Sequence, residues 1–157
     1  MIDLTRLPTR ESAGFATGAS SRIWMNPGHE PVEVAVHLPD GRVYHAEATM
    51  AAMLSPGGTR DPDRLTVQLP AAGLQPTSRL LAQYAAAWGF PSDEVATWRA
   101  SAAPSAPAGA EDDTGPFTYS TRVFTGADAG FVHVEFQVSQ HLSERDFVVT
   151  ALFTWGR

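Results

Sequence analysis

The C-terminal part of the chain constrains the fold most, because three segments in it alternate between apolar and polar side chains. These segments are residues 117–124 (FTYSTRVF), 131–140 (FVHVEFQVSQ) and 146–155 (DFVVTALFTW). Period-two alternation is typical of β-strands with one buried face, and short connections favour antiparallel pairing of neighbours. The sequence therefore predicts a three-stranded antiparallel meander.

A register that pairs Phe124 with Phe131 collects most of the aromatic side chains of this meander on one face. It sets Arg122 beside His133 on the opposite face, which predicts a polar cluster with an ion pair rather than a metal or acid/base site. Apolar residues remain on that polar face, and they are either covered by the rest of the chain, which we favour, or receive a partner. The candidate partner-binding residues are Phe124, Phe131, Arg122, His133, Val148 and Leu152.

A β-hairpin is predicted over residues 32–48, where two alternating segments flank the turn sequence PDG at residues 39–41. A two-residue loop would mix apolar and polar side chains on each face. A three-residue loop with Gly41 in the left-handed bulge position pairs Val36 with Tyr44 and collects an apolar face. The bulged hairpin is therefore the predicted form.

The polar face of this hairpin carries a candidate metal site. His37 and His45 are diagonal neighbours there, with Glu33 close by. Two imidazoles and a carboxylate can bind a transition metal when their donor atoms converge. The same residues are common on solvated strands, so an ordinary wet strand face is the favoured interpretation and metal binding is the alternative. No other cofactor is expected.

Two short helices are predicted between the hairpin and the meander. Residues 77–88 have apolar side chains at helical spacing and are followed by Gly89, a common helix terminator. A second helix over residues 92–102 begins at Ser92, which can cap its N-terminus, and acidic residues follow where the helix dipole favours them. Their order predicts a helical hairpin.

The predicted fold is α+β: an antiparallel sheet, formed by the N-terminal hairpin and the C-terminal three-stranded meander, packed against a short helical pair. A short further strand is predicted at residues 64–70. Residues 1–20 are predicted to form an irregular N-terminal arm, and residues 21–157 are predicted to form a single domain of ordinary size. Within it, residues 103–116 are rich in proline and alanine and predict a mobile loop.

Composition excludes several kinds of chemistry. The net charge of −6 argues against nucleic-acid binding, which needs clustered cations. All eleven basic residues are arginine, so lysine Schiff bases and Walker-type phosphate loops are absent. The chain has no cysteine and therefore no disulfide or thiol chemistry. It has no apolar run of about 18 residues that predicts a transmembrane helix.

Three classes of function fit these observations. The preferred class is a non-catalytic protein-interaction module, such as an inhibitor, an immunity-type protein or an accessory subunit, whose acidic charge favours a basic protein partner. The second is an extracytoplasmic domain of an exported or anchored protein. Without an export signal, a cytoplasmic location is expected if Met1 is native, and an extracytoplasmic one otherwise. The third is a small enzyme or small-molecule carrier with a pocket between helices and sheet.

Overall fold

The computed structural model describes residues 1–24, 30–102, 119–141 and 146–156. Within these ranges, the helices are α1 (Leu74–Trp88) and α2 (Ser92–Ala102). The strands are β1 (Ile2–Asp3), β2 (Ser21–Ile23), β3 (Val32–His37), β4 (Val43–Ala48), β5 (Met50–Leu54), β6 (Arg64–Gln68), β7 (Ala72–Gly73), β8 (Tyr119–Thr125), β9 (His133–His141) and β10 (Asp146–Thr154). The predicted α+β class is confirmed, whereas the predicted loop at 103–116 lies outside the described residues.

The strands form two sheets. In the smaller sheet the order is β1-β3-β4, with β1 parallel to β3 and β3 antiparallel to β4. The larger sheet has the order β2-β5-β6-β10-β9-β8, and β7 also pairs with β10. The three adjacent strands β8, β9 and β10 are the predicted meander. Strand β5 was not predicted, because its sequence MAAML neither alternates nor contains the β-branched residues that favour strands.

The chain divides into two compact units. Unit 1 comprises Met1–Pro70, Asp128–Glu135 and Thr150–Arg157, and unit 2 comprises Ala71–Ala127 and Phe136–Val149. Strands β9 and β10 each contribute residues to both units. The division does not test the predicted domain boundary at residue 20.

In unit 1, the β3-β4 hairpin has the predicted register. Val36 lies opposite Tyr44. Gly41 adopts a φ of 86°, and its amide donates a hydrogen bond to the Leu38 carbonyl at 3.1 Å. Tyr44 is buried, with its ring centroid 5.3 Å from that of Phe153 in an edge-on contact. The three-residue bulged loop is therefore confirmed, and its apolar face forms part of the core of unit 1.

Arg10 fixes the course of the N-terminal segment of unit 1. Its guanidinium donates hydrogen bonds to the Ser55 hydroxyl at 2.8 Å and to the carbonyls of Ala16 and Ala19 at 2.9 and 3.0 Å. Its backbone amide donates to the Asp61 carboxylate at 2.9 Å. Backbone turns, such as Phe15 N–H to the Arg10 carbonyl at 2.9 Å, and these side-chain contacts together set the path of this segment, and neither has a periodic signature in the sequence.

In unit 2, aromatic side chains attach the two helices to the strands. Tyr84 and Trp88, one helical turn apart on α1, both contact Phe136 of β9, with ring centroids 4.6 and 6.0 Å away. Trp98 of α2 contacts Phe147 of β10 at 5.3 Å in an edge-on arrangement. Because such rings bury large areas and favour tilted or offset geometries, this cluster forms the core of unit 2.

Strand β8 presents the opposite face from the one predicted. Phe124 is fully buried, with its ring centroid 5.4 Å from Phe90 and 6.4 Å from Trp98. Its neighbour Val123 is 42% exposed to solvent. The prediction that Phe124 lies on the polar face of the meander, as a partner-binding residue, is therefore wrong.

The connection between β8 and β9 explains this error. Ala129 pairs with Val132 in an isolated bridge, so the chain makes a tight turn of its own before β9 begins. Phe131 lies within that turn instead of pairing with β8. The side chains of Thr121 and Ser139 approach to 3.5 Å, a register incompatible with the predicted one. Because side chains alternate along a strand, an odd shift in register exchanges its two faces.

Candidate functional site

The polar side chains at the start of β9 lie on the face predicted for them. Val134 and Phe136 are fully buried, whereas His133 and Glu135 are half-buried and point to the opposite side. The alternation therefore confirms that His133 does not lie in a sealed interior pocket.

His133 contacts two carboxylates. Its Nδ1 lies 2.6 Å from Oδ1 of Asp128, and its Nε2 lies 3.2 Å from Oε1 of Glu135. The hydrogen bond to Asp128 is the largest influence on the pKa of His133 and raises it; partial burial opposes this, and the Glu135 contact adds to it. A protonated imidazole has an N–H on each nitrogen, so it can donate to both carboxylates at once. The cluster links the β8-β9 turn to strand β9.

Arg122 does not belong to this cluster, contrary to the predicted ion pair with His133. Its Nη2 lies 3.4 Å from Oε2 of Glu94 on α2. Its guanidinium carbon lies 5.9 Å from the ring centroid of Phe124. Asp128 was not predicted as the partner of His133, because nothing in the sequence TGADAG indicates in which direction its aspartate side chain points.

The hairpin histidines are not brought together as a metal site. Nδ1 of His45 lies 3.7 Å from Oε1 of Glu33, and both side chains are mostly exposed. His37 lies opposite Val43 at the other end of the strand pair. Across the described ranges, no three histidine, aspartate or glutamate side chains are arranged to hold a metal ion.

One face of the larger sheet in unit 1 is partly accessible. Ile23, Ala52, Thr66 and Leu152 lie side by side across β2, β5, β6 and β10. Ile23 is 51% exposed and Thr66 and Leu152 are half-buried, whereas Ala52, the smallest side chain of the row, is buried at 5% exposure. We call this surface the outer face. It consists of Ile23, Met50, Ala52, Leu54, Thr66, Gln68, Thr150 and Leu152.

The opposite face of the same strands is closed. Met53, Leu65 and Phe153 are at most 2% exposed, and so are their neighbours Ala51 and Val67. The sheet therefore has one side inside the core of unit 1 and one side that mixes accessible apolar and polar residues. Ile23 and Met50 were not among the predicted surface residues.

The remaining predicted partner-binding residues lie at or near the surface. Phe131 is 41% exposed in the turn before β9. Leu152 belongs to the outer face of unit 1, and Val148 is half-buried on β10 within unit 2. Their role in binding stays a prediction.

Unit 2 contains an open groove between α1 and α2, with a volume of about 770 Å³. We call it the helix groove. It is lined by Leu74, Gln75, Ser78, Arg79 and Ala82 of α1 and by Ser92, Val95, Ala96, Arg99 and Ala100 of α2. The helical spacing of these residues places one face of each helix toward the groove. The sequence pattern predicted a pocket between helices and sheet, and these groove residues were not among the predicted site residues.

Comparisons of the chain with protein-family models, with curated proteins and with solved structures find no match. Within the described ranges, neither helix combines the length and the apolar character needed to cross a bilayer. The function must therefore be argued from the surfaces themselves.

Proposed function

We propose that this chain is a non-catalytic protein-interaction module that binds its partner through the outer face of unit 1. The observation that carries the proposal is the contrast between the two sides of one sheet. The larger apolar side chains of the outer face, such as Ile23 and Leu152, remain at least partly accessible, while the residues behind them are buried. Accessible apolar patches with polar surroundings are typical of surfaces that receive another protein.

The dimensions of the outer face suit the centre of an interface. Four strands at the usual spacing of about 4.8 Å place Ile23 and Leu152 about 14 Å apart. A stable interface buries about 800 Å² on each partner, so this patch would form its apolar centre. Polar residues that surround the centre, including Gln68 and Arg64, would form the rim.

Charge supports a basic partner. The chain has a net charge of −6. His133 and Glu135, on the strand next to β10, lie on the same side of the sheet as Leu152, because the buried residues of both strands share the other side. A net negative charge raises the rate of association with a basic protein, and the effect weakens as salt concentration rises.

The test compares three tagged proteins as bait in lysate of the organism that encodes the chain. Thr66→Arg places a bulky cation at the centre of the outer face. Gln83→Arg makes the same change in charge on the exposed side of α1 and serves as the matched control. Thermal melting first establishes that both variants are folded.

We expect a basic protein to co-purify in stoichiometric amount with the wild type and with Gln83→Arg. The amount should fall at least tenfold with Thr66→Arg, because a guanidinium buried against a basic partner is unpaired and repelled. Retention of the partner by Thr66→Arg, or recovery of no stoichiometric partner by the wild type, would reject the proposal.

A further inference from the structure

We infer that the helix groove of unit 2 is a binding site for a small organic anion that has a carboxylate head and an apolar body. The inference is independent of the protein-interaction surface proposed above, which lies in unit 1. It rests on three features of the described residues: two arginine side chains without a partner, a serine hydroxyl that opens into the groove, and an apolar wall between them.

Arg79 and Arg99 give the groove its charge. They lie on facing helices, both are exposed, and neither side chain has an ion pair or hydrogen bond within the described part of the chain. Among the described residues, none that lines the groove is acidic. The nearby carboxylate of Glu94 is already paired with Arg122 at 3.4 Å. In a chain with a net charge of −6, the described lining of this groove is therefore cationic.

Ser78 supplies a second, independent sign of a ligand. It is only 7% exposed, and it lines the groove between Leu74 and Ala82. Its hydroxyl makes no hydrogen bond to the described part of the chain. Among the described side chains only Oγ1 of Thr154 is both fully buried and unpartnered, so the Ser78 hydroxyl opens into the groove. A hydroxyl that opens into the groove without a protein partner can donate its hydrogen bond to a ligand oxygen there.

These groups recognise a carboxylate. The planar guanidinium donates two parallel hydrogen bonds to a carboxylate, and charge-assisted hydrogen bonds of this kind are stronger than neutral ones. Ser78 can add a third donor beside Arg79. The carboxylate head would therefore lie near Ser78, with Arg79 on one side and Arg99 on the other.

The rest of the groove recognises an apolar body. Leu74, Val95 and the alanines at 82, 96 and 100 make most of its wall. Small side chains allow a ligand to approach the helices closely, and burial of each methylene group contributes about 0.8 kcal/mol. The volume of about 770 Å³ lies in the range of small-molecule sites, which is about 300 to 1,000 Å³.

The test is a titration of the ¹⁵N-labelled protein with octanoate, followed by amide chemical shifts. Octanamide, which has the same chain and a neutral head, is the second probe. The variant Arg79→Gln/Arg99→Gln removes both cations. Arg6→Gln/Arg60→Gln is the matched control, because these two arginines are also exposed but lie in unit 1.

We expect octanoate to cause saturable shifts confined to α1 and α2, with at least tenfold tighter binding than octanamide. The Arg79→Gln/Arg99→Gln variant should bind octanoate at least tenfold more weakly, and Ser78→Ala at least threefold more weakly. The Arg6→Gln/Arg60→Gln and Thr66→Arg variants should bind it like the wild type. Shifts that do not saturate, shifts outside the helices, equal binding of octanamide, or unchanged affinity without Arg79 and Arg99 would overturn the inference.

Discussion

Two adjacent residues of β8 distinguish the observed register from the one that the sequence pattern favoured. The pattern placed Val123 in the core and Phe124 on the other face, whereas in the structure Phe124 is fully buried and Val123 is 42% exposed. Truncation of each residue to alanine therefore tests the register directly. If Phe124 faces the core, Phe124→Ala lowers the free energy of unfolding more than Val123→Ala does. If Val123 faces the core, the order is reversed.

The magnitude follows from the contacts of Phe124. Its ring lies in the aromatic cluster of unit 2, 5.4 Å from Phe90 and 6.4 Å from Trp98. Removal of a fully buried phenylalanine ring costs about 3 to 5 kcal/mol, which includes the transfer of the ring from the core and the cavity left behind. Val123→Ala removes atoms that already contact solvent, so we expect it to cost less than about 1 kcal/mol.

The assay is equilibrium unfolding in urea, followed by tryptophan fluorescence. The free energy of unfolding of a domain is about 5 to 15 kcal/mol, so the loss of about 3 to 5 kcal/mol expected for Phe124→Ala is a large part of it. Phe124→Leu is therefore measured as well. It retains an apolar side chain of similar size and should cost about 1 to 2 kcal/mol. The slope of the transition should stay unchanged, so that a midpoint shift reports stability.

The claim that Phe124 faces the core is refuted if Val123→Ala destabilises the protein more than Phe124→Ala, or if Phe124→Leu has no effect on the midpoint of the urea transition. Either result would mean that β8 has the register in which Val123 faces the core.

Two further predictions concern the turn before β9. The pKa of His133 is raised by its contacts, chiefly with Asp128, so the stability that they contribute is fully present below the ordinary histidine pKa of about 6.5 and is lost as pH rises through the raised value. Asp128→Asn should therefore lower the melting temperature more at about pH 5.5 than at about pH 9, and equal losses would contradict the charged contact. Gly130 has a φ of 64°, and an added Cβ would lie 2.9 Å from Cβ of Pro39. Gly130→Ala should cost about 2 kcal/mol or more, and Gly18→Ala, which meets open space at φ 74°, about 1 kcal/mol. Thermal or urea unfolding measures both, and similar losses would show that the Pro39 contact has no effect.

Local pattern was sufficient wherever neighbouring residues alone decide the geometry. The β3-β4 register follows from Gly41 and from the need to keep Val36 and Tyr44 on one buried face. The second helix was predicted with the bounds Ser92–Ala102 that it has. The first helix starts three residues earlier than predicted, at Leu74, because proline is tolerated in the first turn of a helix.

Local pattern failed where the connection between elements decides the geometry. The turn closed by Ala129 and Val132 changes the pairing of β8 with β9, and no periodicity in the sequence encodes that turn. Arg10 directs the N-terminal segment through contacts with residues up to 51 positions away. Contacts at such sequence distances depend on how elements meet in space.

The candidate binding surfaces show the same division. The alternation alone assigns His133 and Glu135 to the polar face of β9. That His133 contacts Asp128 and not Arg122 depends on the turn before β9. The helix groove brings Ser78 and Arg79 toward Arg99 only because α1 and α2 pack against each other.

The sequence by itself determined which face of most strands and helices is apolar, because a side chain's direction follows from its position in a repeat of 2.0 or 3.6 residues. Only the tertiary structure decided which polar groups meet, which register β8 adopts and which surfaces stay open. All three depend on contacts between residues far apart in the chain. Many alternative strand pairings bury a similar apolar area, and only the packing of the complete structure selects one of them.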